Sequence, residues 1–211
     1  YLGYKAATYV GDVLGEGGKV VLINAIDGNA ANEQREQGFR DGIAEKKLEI
    51  VREGNHNWDN VLAQQIMTEM LNSGVKFDGV LISQGGEAAL KAYSATNTPW
   101  PKAMGFGDTG EYMQMCLDIN KDSEVMPYIV ISNPPGVGGS ALNFGLNLML
   151  GNELKEGVYS NPEYNSIFLE SKVWYTYDNQ EEHRELAEST APGSAITYWL
   201  TMDEVKNEYF K

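Results

Sequence analysis

Residues 19–25, KVVLINA, form a short apolar and β-branched run set between glycines. Such a run reads as a strand buried on both faces. The next stretch of chain has a different period. Residues 31–44 place Phe39, Ile43 and Ala44 on one face, which predicts a helix. Residues 48–53 (LEIVRE) then read as a strand, and 60–71 as a helix with Val61, Leu62, Ile66, Met70 and Leu71 at helical spacing and Asn57 or Asp59 as its cap. The alternation continues with a strand at 77–82, a helix at 87–93, a strand at 102–106, a helix at 111–117 and a strand at 128–132. Pro134 and Pro135 open a helix that runs to Met149, proline being tolerated in a first turn. Repeated strand–helix units with apolar strands predict a parallel sheet covered by helices on both faces, an α/β fold.

The ends of the chain read differently. Residues 1–14 already form a helix, with Leu2, Ala6, Tyr9, Val10 and Val13 on one side. This opening lacks the basic start and apolar stretch of a leader, so the chain is expected to begin within a larger protein. After Gly151 the texture becomes polar and rich in turns. Residues 166–177 are β-prone, 179–189 read as a charged helix, 195–200 (AITYWL) as a last strand and 203–210 as a last helix. The one candidate linker is 189–194, STAPGS.

Composition narrows the function classes. The 211 residues are 42% hydrophobic and 22% charged, the balance of a globular protein able to bury a core. No apolar run approaches the ~20 residues of a membrane-spanning helix. A net charge of −14 argues against general nucleic-acid binding. A single cysteine, Cys116, excludes an internal disulfide framework and a cysteine-based zinc cluster; it lies on an apolar helical face and reads as core. With only His56 and His183, a multi-histidine metal site is excluded, and neither a metal nor a cofactor is expected.

In open α/β sheets ligands bind beyond the carboxyl ends of the strands. The residues there are Asp27, Gly28, Asn29 and Arg35; Asn55, His56, Asn57 and Trp58; Ser83, Gln84, Gly85 and Gly86; Gly107, Asp108 and Thr109; and Asn133. This set is rich in hydrogen-bonding groups and contains no Ser-His-Asp triad or other nucleophile–base pair. It suits a polyhydroxylated ligand. Each hydroxyl both donates and accepts, so Asp, Arg, Asn and Gln can match it. The C–H face of a sugar ring packs on an aromatic such as Trp58.

Each residue also has a plainer role. Trp58 can be a packing residue, Arg35 a solvated surface arginine, Asp108 and Asn133 helix caps, and His56 a loop histidine. Gly136-Val137-Gly138-Gly139 follows a strand and opens a helix, as a phosphate loop would, but lacks the GKS or GKT ending; its alternative is close helix packing.

Five segments in order carry a resemblance: GGKVVLINAIDGNAANEQREQGFRDGI (17–43), NHNWDNVLAQQIMTEMLN (55–72), FDGVLISQGGEAALKAYSA (77–95), MGFGDTGEY (104–112) and ISNPPGVGG (131–139). Together they resemble the type I periplasmic sugar-binding proteins, the ribose/galactose-type solute receptors of ABC importers, which are related to the effector domains of LacI-type repressors. The resemblance runs from about Tyr1 to about Gly151.

It implies two α/β lobes around a ligand cleft. Arg35 would hydrogen-bond sugar hydroxyls, Trp58 would stack, Asp108 would be the cleft aspartate and Asn133 the hinge amide. Two departures stand out. Gly107 intervenes between Phe106 and Asp108, and Gly85-Gly86-Glu87 replaces the usual Asn-Asp-Glu, so Gln84 is the candidate substitute there.

The resemblance further implies that residues 1–132 are the second lobe. Residues 133–196 would return to a first lobe largely missing from this chain and carry a polar insert, and 197–211 would make the last crossing. The expected function is non-catalytic sugar binding for uptake or sensing in the periplasm or cell envelope. The expected partners are an ABC permease, a chemoreceptor or a sensor kinase, and the exposed first-lobe-facing surface would favour self-association. Two other classes remain: the effector domain of a LacI-type regulator, and a small α/β enzyme using Asp108 with the glycine loop at Gly136.

Overall fold

The computed structural model describes residues 1–121, 125–131, 136–167 and 174–211. Its contacts divide the chain into two units, 1–131 with 174–194, and 132–173 with 195–211.

The first unit is built on one sheet of order β2-β1-β3-β4-β5-β6. Strands β1 (Lys19–Asn24), β2 (Glu49–Asn55), β3 (Gly79–Ile82), β4 (Ala103–Gly107) and β5 (Tyr128–Ile131) are parallel, and β6 (Trp174–Thr176) adds antiparallel to β5. Helix α1 (Leu2–Leu14) leads into β1, and α2 (Ala30–Lys46), α3 (Asn60–Asn72), α4 (Gly86–Thr96) and α5 (Gly110–Ile119) make the crossovers. The expected strand–helix alternation is thus present. Each parallel return needs such a crossover, and its fixed hand decides which face a helix covers.

Helices α1 and α2 share a buried cluster with one face of the sheet, including Ala6, Val10, Leu22, Phe39, Leu81 and Ile129. Their backbones come close because glycines sit at the crossing. A Cβ on Gly3 would stand 2.0 Å from the Arg35 carbonyl oxygen, and one on Gly38 would stand 2.8 Å from the Tyr4 nitrogen. That crossing fixes the α2 turn carrying Arg35. The sequence placed Val13 on the inner side of α1, but it is 39% exposed, whereas Gly3, Ala7 and Gly11 are buried. Small residues, not large ones, line this seam.

Strands β1, β3, β4 and β5 are buried along almost their whole length. Edge strand β2 is not, and its residues are exposed or half-buried. The β4–β5 register is irregular between Gly105 and Gly107. This is where the sequence carries an unexpected glycine before Asp108. A Cβ on Gly107 would lie 2.0 Å from the Tyr112 ring, so only glycine fits beneath that ring.

Helix α7 (Gln180–Ser189) packs on α5 within this unit. The expected linker 189–194 is docked there too. Gly110 N donates to Ser194 O, Glu111 N to Pro192 O, and the Gln114 side-chain amide to Ala187 O at 2.6 Å. Residues 174–194 therefore belong with the sheet, where the sequence reading grouped them with the returning segment. Of the β-prone stretch 166–177, only Trp174–Thr176 is a strand, and 168–173 lie outside the described residues.

The second unit holds α6 (Val137–Met149) and α8 (Met202–Tyr209), around a cluster of Leu200, Val205, Tyr209 and Phe210. The strand expected at 195–200 does not form. At its end, α6 side chains take up the Leu200 backbone: Ser140 Oγ accepts from Leu200 N at 2.9 Å, and Asn143 donates to Leu200 O at 2.7 Å. Two glycines of the 136–139 segment sit in close packing, while Gly138 has open space around it. Gly136 abuts the Tyr198 carbonyl and Gly139 the Trp199 ring. The fully buried positions of α6 are polar, Ser140 and Asn147, while Val137, Leu142, Leu146, Leu148 and Met149 are exposed. Pro134 and Pro135, expected to open this helix, lie outside the described residues.

Candidate functional site

The sheet order reverses beside β1, whose partners are β2 and β3. At such a switch point the loops after neighbouring strands leave in opposite directions and open a crevice. Three polar residues tie its floor together. Asn29 caps α2, accepting from the Ala31 and Asn32 amides. The buried Asn32 accepts from Ala25 N at 2.7 Å and from Ser83 Oγ at 3.3 Å, so the ends of β1 and β3 share one amide oxygen.

One helical turn on stands Arg35. Its Nη1 donates to the Ser83 carbonyl at 2.8 Å. The guanidinium carbon lies 5.2 Å from the centre of the Trp58 ring and 5.7 Å from that of Phe106. An arginine held over two rings is attracted by their π faces and loses little further freedom on binding. Burial pulls its pKa down and the Asp108 charge pulls it up; guanidinium stays protonated. Arg35 is therefore half-buried and held, not a solvated surface arginine.

Trp58 is aimed by a turn, not by helix packing. His56 N donates to Asn24 O at 2.8 Å and Asn57 N to Ala25 O at 3.2 Å, continuing the β1–β2 pairing. Asn57 and Trp58 then take φ values of 54° and 61°. Left-handed backbone is costly for a large side chain and is kept where surroundings enforce it. Asp59, not Asn57, caps α3, accepting from the Val61 and Leu62 amides.

His56 is not a surface histidine. It has no solvent exposure, stands edge-on to Trp58 at 6.0 Å, and neither ring nitrogen has a hydrogen-bond partner among the described residues. Burial, with the Arg35 charge adding to it, pushes its pKa down to about 4, so the ring is neutral at pH 7.

Gln84 follows β3 and is half-buried. Gly85 beside it has φ 79°, a backbone that strains any side chain, and a Cβ there would also press on Asn60 Oδ1 at 2.7 Å. Asp108 is buried at the end of β4. It is not the helix cap: Thr109 caps α5, accepting from Tyr112 N at 3.1 Å. Asn133 lies outside the described residues.

The structure thus brings Arg35 and Trp58 into contact and sets the Asp108 charge within reach of Arg35. Sequence reasoning missed Phe106 beside Arg35 and the burial of His56. Phe106 adjoins residues that the strand ends single out and His56 is one of them, but nothing local marks their burial. Among the described residues no three His, Cys, Asp or Glu side chains gather as a metal cage. The arrangement offers a fixed cation, a buried carboxylate and aromatic surface, a donor–acceptor set matched to a polyol.

The periplasmic binding protein domain family matches residues 2–153, and the chain belongs to that family. The ribose import binding protein of Bacillus subtilis (strain 168) is 30% identical over 96 residues, 46% of this chain and 31% of that protein. The D-allose-binding periplasmic protein of Escherichia coli (strain K12) is 25% identical over 157 residues, 71% of this chain and 47% of that protein. The chain therefore spans less than half the length of either relative.

Among solved structures, an ABC transporter solute binding protein from Thermobispora bispora superposes with TM-score 0.66 at 19% identity, over 98% of this chain and 60% of that one. A periplasmic solute binding protein from Actinobacillus succinogenes with bound D-allose gives 0.64 at 17%, over 85% and 59%. These likenesses show the fold, that of the type I periplasmic binding proteins.

Proposed function

We propose that the first unit is one lobe of a sugar receptor, and that Arg35, Trp58, Gln84 and Asp108 face its ligand; the expectation for Asn133 lies outside the described residues. The observation that carries this reading is the Arg35 guanidinium, held at the switch point by Ser83, Trp58 and Phe106. A cation fixed in advance gives charge-assisted bonds to hydroxyls at little entropic cost. Trp58 has one face against Arg35, so a sugar ring would pack on what remains of its surface. The relatives named for ribose import and D-allose binding support the ligand class.

The whole protein is then a non-catalytic, periplasmic solute receptor whose two lobes close on a sugar and signal to a membrane partner, an ABC permease before a chemoreceptor or sensor kinase. Within this reading the second unit is the returning segment. The exposed apolar face of α6 would drive self-association of the chain in isolation; sedimentation of the chain and of a Leu142→Gln, Met149→Gln variant tests that. Among the described residues no helix is long and apolar enough to cross a membrane.

Isothermal titration of the chain, and of a two-lobed protein containing it, against pentoses and hexoses tests the main reading. Saturable heat, stronger with both lobes present, supports it. No heat from either across the panel refutes it.

A further inference from the structure

One buried charge takes no direct part in the ligand site. Glu87 stands in the first turn of α4 and is 4% exposed. Each of its carboxylate oxygens accepts a hydrogen bond, Oε1 from Asn60 Nδ2 at 2.9 Å and Oε2 from Thr109 Oγ1 at 3.1 Å. Asn60 is the first residue of α3, and Thr109 is the cap of α5. One side chain therefore spans the heads of three successive helices. Each head adjoins a loop with a candidate ligand residue: Trp58 before α3, Gln84 before α4, Asp108 before α5.

Burying a carboxylate carries a desolvation cost, and a fold retains one only where its surroundings offset that cost. Here three helix N-termini, each the positive end of its dipole, meet around the group. Burial still raises the Glu87 pKa, and the bonds from Thr109 and Asn60 act against that rise.

We propose that Glu87 is a positioning residue of the ligand site, joining α3 and α5 to α4 so that Trp58, Gln84 and Asp108 keep a fixed spacing. The proposal rests on the sugar-site reading for its purpose, but its mechanical part stands alone. Glu87 need not touch ligand; it acts through Asn60 and Thr109.

The test is transmission between helices that do not bond each other directly here. Amide hydrogen exchange is followed by NMR in the full chain for wild type, Asn60→Ala, Glu87→Ala and the double variant. Asn60→Ala is expected to speed exchange of the Tyr112 and Met113 amides about tenfold, the effect of loosening one charge-assisted bond, while α2 amides stay unchanged. In the Glu87→Ala background the same substitution is expected to add nothing, because groups in one network are not additive. Unchanged Tyr112 exchange in Asn60→Ala overturns the proposal, as does an equal effect with and without Glu87. Where Glu87→Ala fails to fold, Glu87→Gln serves, since it keeps the size and turns an amide toward one of the two donors. Titration with D-ribose and D-allose forms a separate arm. Loss of affinity in Glu87→Gln supports the purpose assigned to the clasp. If no sugar of the panel binds either the chain or the two-lobed protein, the sugar reading fails, and the exchange data still decide the clasp.

Discussion

At the residue scale, Arg35 and His56 show how one buried neighbourhood sets two opposite demands. Arg35 keeps its charge because Ser83 O, Asp108 and two rings compensate it. His56, beside that charge, is held neutral. Arg35→Ala removes a charge-assisted donor and the support under Trp58. It is expected to weaken sugar binding by about tenfold or more, read as the dissociation constant in titration. Trp58→Ala should weaken binding in the same assay through lost stacking. Unchanged affinity in both would remove these residues from the site.

The pH dependence comes from the direction of the His56 shift. Its folded pKa, about 4, is below the ordinary 6.5, so the unfolded chain takes up the proton first as pH falls. Stability associated with the neutral ring is complete above pH 6.5 and is lost as pH drops from there toward 4. Urea midpoints at about pH 7 and about pH 4.5 should therefore differ less in His56→Phe than in wild type. An equal difference would show that His56 does not carry the effect.

At the scale of elements, the caps and seams do the positioning. Asp59→Ala removes the acceptor for two amides at the head of α3 and should cost about 1 kcal/mol, measured by denaturant unfolding. Gly3→Ala forces a Cβ against the Arg35 carbonyl and must spread α1 from α2. The expected loss is roughly 1–3 kcal/mol. A Gly3→Ala protein as stable as wild type would mean that the seam yields freely.

The strand–helix alternation was readable because buried parallel strands are apolar throughout and crossover helices carry a longer period. KVVLINA could hardly be anything else. The site was partly readable, since a parallel sheet puts ligand groups after its strands, which singles out Arg35, Trp58, Gln84 and Asp108. What escaped is what depends on contacts distant in sequence. AITYWL has strand composition, yet its last residue, Leu200, has its backbone N–H and C=O taken by Ser140 and Asn143 of α6. His56 in a polar loop is indistinguishable by composition from an exposed histidine. Glu87 looks like any acidic residue in a first helical turn until Asn60 and Thr109 are seen to close on it.

For the molecule as a whole, the family is settled by residues 2–153, and the sheet unit supplies a held cation at its switch point. The reading stands or falls on whether that cation binds a sugar. An NMR titration of the chain with D-allose decides it, because weak binding by one lobe still moves signals. Saturable shifts of the Trp58 indole and Arg35 Nε resonances are expected, lost at Trp58 when Arg35 is replaced by alanine. Shifts that persist unchanged in the Arg35→Ala variant, or none at either residue at saturating sugar, would contradict it.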